Sequence, residues 1–181
     1  MISVAAYLEN EKVADLRSEY VNGRRVPLVG ASRLHDQLCM RLARLLQQQL
    51  TGSPYRLFRP TVKVHIQGAG DERFYYPDLQ VGRDEDLEYP DFLDAPRLIL
   101  EVLSATSAPR DREEKAPAYC RIPGLEELVL IAHDAPRIEV WRRAQGWVPQ
   151  IVSGTECLRL PSIAGEIPLA AIYGGLALPG P

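Results

Sequence analysis

Asp78 directly follows Pro77, Glu101 interrupts the apolar run Leu98-Ile99-Leu100-Glu101-Val102-Leu103, and Lys115 lies further on in Arg112-Glu113-Glu114-Lys115. A glutamate in so apolar a run is expensive to bury ionised and calls for a partner or a metal. Two carboxylates on adjacent strand ends can hold a hard cation such as Mg²⁺ or Mn²⁺, with waters in the remaining positions. Such an ion polarises a phosphoryl oxygen and lowers the pKa of bound water. A nearby lysine positions that water or stabilises the charge that develops in the transition state. The plain alternative is a structural ion pair at strand ends, with Arg97 or Lys115 as the counter-charge. Lys115 also fits a solvated helix face, although Asp111, Lys115 and Tyr119 are spaced by four and share one side of a helix. Glu19 fits either a place in the metal shell or a cross-strand pair with an arginine. His35 fits either a group that reaches phosphate or orients a carboxylate, or a capping and packing histidine.

The elements that must position these residues are legible in outline. Asn22-Gly23 between two short strand-like runs predicts a hairpin. Leu34, Leu38, Leu42, Leu45, Leu46 and Leu50 recur at helical spacing and predict a helix over Arg33–Leu50, with Ser32 as its cap. Tyr55–Ile66 reads as one strand, Gly68–Arg73 as a polar loop and Tyr75–Val81 as a second strand through Pro77-Asp78. An acidic, proline-bearing loop runs from Arg83 to Pro96. Arg97–Leu103 suits a central strand covered on both faces. Asp111–Arg121 reads as a helix with a late start or a kink at Pro117, which removes a backbone donor and clashes with the preceding turn. Glu127–Ala132, Arg137–Arg143 and Trp147–Val152 read as successive strands, with a tight turn at Ala144-Gln145-Gly146. A short strand and a final helical turn span Leu158–Tyr173. This order predicts a mixed sheet with helices against it, in one domain over residues 1–173, followed by a poorly ordered tail over 174–181.

Composition sets the bounds. The chain has 181 residues, 46% hydrophobic and 25% charged, an ordinary balance for a single globular domain. No apolar run is long enough for a membrane span and no secretory leader is expected. The three cysteines, Cys39, Cys120 and Cys157, are widely spread and read as buried thiols of a reducing, cytoplasmic setting. A net charge of −3 argues against a protein that simply coats nucleic acid, but leaves room for an enzyme with a local basic groove. His65 and His133 read as ordinary strand and turn residues, and Arg41 and Arg44 as an outer helix face. Trp141 and Trp147 read as cross-strand packing or part of a dimer surface.

Over about Tyr7 to Tyr173 the chain resembles the Uma-two family of restriction-endonuclease-like proteins, within the PD-(D/E)XK nuclease superfamily. The resemblance is carried by Ser18-Glu19-Tyr20-Val21-Asn22-Gly23, His35, Pro77-Asp78, Glu101-Val102-Leu103-Ser104, Asp111 with Lys115 and Tyr119, Ile122-Pro123-Gly124-Leu125, and Leu158-Leu160-Pro161-Ser162. It implies a restriction-endonuclease-like α/β core, Mg²⁺ dependence and DNA as substrate. The superfamily pattern puts lysine at position 103, where this chain has Leu103. The family is thought to supply that lysine from the following helix, and Lys115 is the matching residue.

These readings lead to a Mg²⁺-dependent DNA endonuclease with Asp78 and Glu101 as metal ligands. Lys115, Glu19 and His35 complete the site, and a homodimer would cut both strands. The alternative is a catalytically inactive nuclease fold that serves as a nucleic-acid-binding or interaction module.

Overall fold

The computed structural model describes residues 1–28, 30–68, 70–83, 85 and 92–179. Helix α1 (Val4–Lys12) is followed by the hairpin β1 (Ser18–Val21) and β2 (Arg24–Pro27). Asn22 and Gly23 both take positive φ, 49° and 85°, as a two-residue turn that matches strand twist requires. Helix α2 (Arg33–Gln49) buries Leu38, Leu42 and Leu46, and the Ser32 side chain accepts from the His35 backbone N–H. The apolar stripe and the cap both fall where the leucine spacing places them.

The strands divide between sheets where a single mixed sheet was expected. One sheet has the order β2, β1, β5 (Asp71–Tyr75), β4 (Lys63–Gly68), β7 (Phe92–Leu93); the other has the order β11 (Gln150–Ser153), β10 (Arg137–Arg142), β9 (Glu127–Ala132), β8 (Leu98–Leu103), β6 (Leu79–Gly82), β3 (Arg56–Phe58), with β12 (Cys157–Leu160) and β13 (Gly165–Pro168) as a separate hairpin. Two prolines mark the division. The run 55–66 breaks at Pro60 into β3 (Arg56–Phe58) and β4 (Lys63–Gly68), which lie in different sheets. The run 75–81 breaks at Pro77 into β5 (Asp71–Tyr75) and β6 (Leu79–Gly82), again in different sheets. Proline has no N–H for a ladder, so strand pairing stops there and the chain crosses over. Most of the expected polar loop at 68–73 is strand: β5 begins at Asp71, and β4 pairs with β5 as far as Gly68 opposite Asp71.

Strand β7 is only Phe92–Leu93. Most of the acidic loop before it, residues 84 and 86–91, lies outside the described residues. Strand β8 (Leu98–Leu103) is buried at every position and lies between parallel β9 (Glu127–Ala132) and antiparallel β6. The central strand is therefore as the sequence predicts. Beyond β9 come β10 (Arg137–Arg142) and β11 (Gln150–Ser153), then β12 (Cys157–Leu160), β13 (Gly165–Pro168) and the last helix, α5 (Leu169–Tyr173). Leu176 and Leu178, in the segment expected to be poorly ordered, are partly buried against the same core as α2.

The helical segment after β8 starts before, not after, the expected residue. It opens as α3 (Ala108–Arg110), with Pro109 in the first turn where a proline N–H is not needed. It continues as a π turn (Asp111–Lys115) and ends as α4 (Ala116–Tyr119). The Ala116 N–H donates to the Asp111 carbonyl, five residues back. The widened turn lies immediately before Pro117, at the place where a kink was expected.

Two apolar clusters cover the two faces of the six-stranded sheet. Leu79, Val81, Leu98, Leu100 and Val102 pack with α2, α5 and the β12–β13 hairpin. Ile99, Leu103, Leu128 and Leu130 pack with Ala116, Tyr119 and, from the other sheet, Val64, Ile66 and Tyr75. The segment bearing Lys115 is thus held where the two sheets meet.

Gly124 belongs to the Ile122-Pro123-Gly124-Leu125 run, and a Cβ there would stand 2.9 Å from the Ala95 Cβ and 3.3 Å from its backbone. Gly124→Ala is expected to destabilise the fold by about 1–3 kcal/mol through overpacking just before β9. Urea unfolding with an unchanged midpoint would show that this approach tolerates a methyl group.

Candidate active site

Strand pairing puts Asp78 and Glu101 side by side. The antiparallel register of β6 and β8 pairs Leu79 with Leu100, and one further step sets Asp78 opposite Glu101. The Asp78 backbone N–H donates to Glu101 Oε2 at 3.2 Å, and the Val102 N–H donates to Asp78 Oδ2 at 2.7 Å. Glu101 is only 3% exposed. Because side chains alternate along a strand, Glu101 shares the face of Ile99 and Leu103, which is the face covered by the helical segment.

Lys115 comes from that segment. Its ammonium lies 3.2 Å from Glu101 Oε1, 3.1 Å from Glu19 Oε1 and 3.5 Å from Asp111 Oδ1. The solvated-face reading of Lys115 is therefore wrong: it is 6% exposed, Asp111 is 4% exposed and Tyr119 fully buried. Tyr119 donates from its hydroxyl to Glu101 Oε1 at 2.7 Å. Leu103 belongs to the apolar cluster beneath Ala116 and Tyr119. Position 103, where the resemblance pointed to a lysine, thus makes an apolar contact with the helical segment that carries Lys115.

Glu19 enters from the other sheet. Tyr20 joins the aromatic cluster with Tyr7 and Phe74, so its neighbour Glu19 points to the opposite face, toward Lys115. Glu19 does pair with an arginine, but one from the helical segment and not from a neighbouring strand. It lies in the carboxylate group, and the arginine is Arg110, whose guanidinium reaches Glu19 Oε2 at 2.5 Å and Glu114 at 3.1 Å. The Tyr76 N–H also donates to Glu19. Arg110 was not singled out from the sequence; its spacing of four from Glu114 on one helix was the available signal.

His35 lies partly buried in the first turn of α2. Its backbone N–H is capped by Ser32, while its ring Nε2 lies 3.1 Å from Asp78 Oδ2. The other ring nitrogen lies 3.6 Å from the thiol of Cys39, a residue the sequence reading passed over as a buried thiol.

The electrostatics are those of a carboxylate pocket short of positive charge. Burial, with Asp78 and Asp111 nearby, pushes the Glu101 carboxyl up to about 8 against the pull of Lys115. Burial raises Asp111 as well. Burial works against the Lys115 ammonium, but Glu101, Glu19 and Asp111 outweigh it and hold the lysine protonated far above its usual range. The His35 ring loses from burial and gains more from Asp78, so its pKa is raised. Burial and the nearby acids keep the Cys39 thiol protonated.

Two further arginines near the site in sequence, Arg112 and Arg41, are engaged elsewhere. Arg112 pairs with Glu139 at 2.7 Å, and Arg41 donates to the carbonyls of Ile172 and Gly174. Arg41 thus ties α2 to the C-terminal segment and is not a free outer-face charge. Arg97 pairs with Glu126 and not with the site. His65 is more than a plain strand residue: its ring lies between Asp94 at 2.7 Å and Glu72 at 3.3 Å, stacked on Phe74.

The two-sheet α/β fold thus holds a buried carboxylate–lysine cluster, with Glu19, Glu101 and Asp111 around Lys115 and Asp78 beside Glu101. Residues 4–171 match the family model Uma2, described as "Putative restriction endonuclease", and the chain belongs to that family. An uncharacterized protein of Synechocystis, sll1609, is 33% identical over 150 residues, covering 79% of this chain and 81% of its own. A second, slr1290, is 26% identical over 179 residues, covering 97% and 93%. A crystal structure titled as "a putative nuclease belonging to DUF820" from Anabaena variabilis has the same fold. Its TM-score is 0.73 at 16% identity, with 96% of this chain and 98% of that one covered. Among the described residues, no helix is long and apolar enough to cross a membrane.

The raised pKa values give a stability signature. Glu101 and His35 both titrate higher in the folded protein, so each contributes stability at low pH that is lost as pH rises. For Glu101 the loss runs from about 4.5 to about 8. In the presence of a chelator, the melting temperature is expected to fall between those pH values, and Glu101→Gln should flatten the slope. A melting temperature that rises over that range in the unmodified protein would contradict this account of the pocket.

Proposed function

We propose that this protein is a divalent-metal-dependent DNA endonuclease in which Asp78 and Glu101 hold Mg²⁺ or Mn²⁺. The observation that carries the reading is the surplus of carboxylates around one ammonium: Glu19, Glu101 and Asp111 surround Lys115, with Asp78 beside Glu101. Oxygen donors of this kind suit a hard cation, and a cation would favour the ionised form of Glu101, which burial first and then Asp78 and Asp111 disfavour. When bound, the ion supplies a Lewis acid for a phosphoryl oxygen and makes a water more acidic.

The protein's own groups then have distinct tasks. Lys115, protonated throughout the working range, stabilises developing negative charge and is not a base. Tyr119 fixes the Glu101 carboxylate through its hydroxyl, and Arg110 fixes Glu19. His35 orients Asp78 from the opposite layer of the fold and can hold a proton next to it. Arg33 is exposed in the first turn of α2, two residues before His35, and is available to meet a phosphate. Cutting both strands of a duplex calls for two copies of the site, and so for a homodimer.

A second reading has one observation in its favour. Leu103 occupies the position of the superfamily lysine, and Lys115 is already held by three carboxylates. On this reading the chain is a nuclease fold that binds nucleic acid without cutting it.

Plasmid cleavage with Mg²⁺ or Mn²⁺ separates the two. The wild type is expected to cut, and Lys115→Ala to cut roughly 10²-fold more slowly with Mn²⁺ binding largely retained. Asp78→Ala should lose calorimetric Mn²⁺ binding. Equal cutting by wild type and Lys115→Ala would remove the lysine from the chemistry. Absence of cutting across metals and substrates, with nucleic-acid binding present, would favour the binding module.

Any nucleic-acid affinity should weaken steeply with added salt, because contacts to phosphate release counterions. Arg33→Ala should reduce that affinity, whereas Arg112→Ala should act on stability through its Glu139 pair. Binding that is insensitive to salt and to Arg33→Ala would rule out this mode of recognition.

A further inference from the structure

Cys39 is a side chain that the proposed nuclease chemistry does not use. It follows His35 by four residues on α2, so both project from one side of the helix. Its sulfur lies 3.6 Å from His35 Nδ1, and His35 Nε2 lies 3.1 Å from Asp78 Oδ2. One ligand atom from each of His35, Cys39 and Asp78 lies within 4.8 Å of those of the other two. Imidazole, thiol and carboxylate together are the donors of a borderline-soft ion, unlike the all-oxygen set that Mg²⁺ prefers.

Bond lengths of about 2.0–2.3 Å in a tetrahedral zinc site separate its ligand atoms by roughly 3.3–3.8 Å. The 3.6 Å and 3.1 Å approaches are to different ring nitrogens of His35, so an ion would need a rotation of the imidazole to bring a single nitrogen, the Cys39 sulfur and an Asp78 oxygen, now within 4.8 Å of one another, to that spacing. The His35 and Asp78 side chains are 15% and 17% exposed, so the place is covered but open to solvent on one side. Asp36, Glu101 and Asp111 add negative charge around it, which favours a cation.

We propose that His35, Cys39 and Asp78 form a site for a borderline-soft divalent transition metal such as Zn²⁺, with the fourth position left to water. On binding, the Cys39 thiol gives its proton to solvent and the sulfur coordinates as thiolate. The site shares Asp78 with the Asp78–Glu101 pair, so a soft ion here and a hard ion there compete for one carboxylate. The soft-metal site stands on its own geometry; only this competition rests on the nuclease reading.

Cobalt(II) is the probe, titrated into the reduced, full-length protein and read by electronic absorption. The expected result is a near-ultraviolet sulfur-to-cobalt charge-transfer band with intense visible bands of tetrahedral cobalt. Zn²⁺ should abolish both, and a large excess of Mg²⁺ should not. Cys39→Ser and Asp78→Asn should lose the charge-transfer band, while Glu101→Gln keeps it, with circular dichroism confirming that each variant is folded. Absence of the band in the wild type overturns the proposal. So does a band that survives Cys39→Ser, since the sulfur would then be Cys120 or Cys157. Cobalt spectra lost in Glu101→Gln but untouched in Cys39→Ser would place the ion on the carboxylate pair alone. That outcome ends this proposal and leaves the nuclease reading intact. A cobalt–thiolate site in a protein that fails to cut DNA would have the opposite meaning.

Discussion

A glutamate side chain buried in the central strand of an apolar sheet is the constraint around which this structure is organised. Glu101 lies in a strand buried at every position, with Leu98, Ile99 and Leu100 before it and Val102 and Leu103 after it. An isolated carboxylate there would carry a heavy desolvation cost. It is met from three directions: a backbone N–H from Asp78, a hydroxyl from Tyr119 and an ammonium from Lys115. Each of these groups is in turn fixed by something else. Lys115 is shared with Glu19 and Asp111, and Glu19 is shared with Arg110 and the Tyr76 N–H. The result is a polar network at the meeting of two sheets, surrounded by apolar side chains, where low dielectric makes every member dependent on the others.

The helical segment is shaped to serve that network. A regular helix through Pro117 would set the proline ring against the carbonyl four residues back and leave a donor missing. The π turn over Asp111–Lys115 widens the helix just before the proline, and both ends of that turn, Asp111 and Lys115, face the carboxylates. The same segment fills the space below with Ala116 and Tyr119 against Leu103. One irregular stretch therefore delivers the cation and closes the apolar core around it. Its cost is local backbone irregularity of the kind that recurs at functional sites.

Asp78 differs from Glu101 in being reached from both layers of the fold. It sits just before β6, after the proline that ends strand pairing, and so at the mouth of the sheet. Glu101 and Lys115 lie on one side, while His35 from α2 approaches from the other. A carboxylate at that junction is less buried than Glu101 and accessible to an ion or a substrate. This is where the proposed chemistry, hard-metal or soft-metal, is centred.

The residues that matter were largely readable from local pattern. A polar residue in a buried apolar run marks Glu101, the leucine spacing marks α2 with its Ser32 cap, and Asn22-Gly23 marks the hairpin that carries Glu19. These are short-range signals, because propensity and periodicity act within a few residues. What the sequence could not decide was which distant segments meet. Pro60 and Pro77 divide apparent single strands between two sheets, and nothing local says which sheet each half joins. Arg110 reaches Glu19 across 91 residues and His35 reaches Asp78 across 43. Such pairs leave no periodic trace, since burial and charge compensation in the assembled core select them. The chemistry-bearing residue types were thus set by the sequence, whereas their convergence around one buried carboxylate was decided by the packing of two sheets against a single interrupted helix.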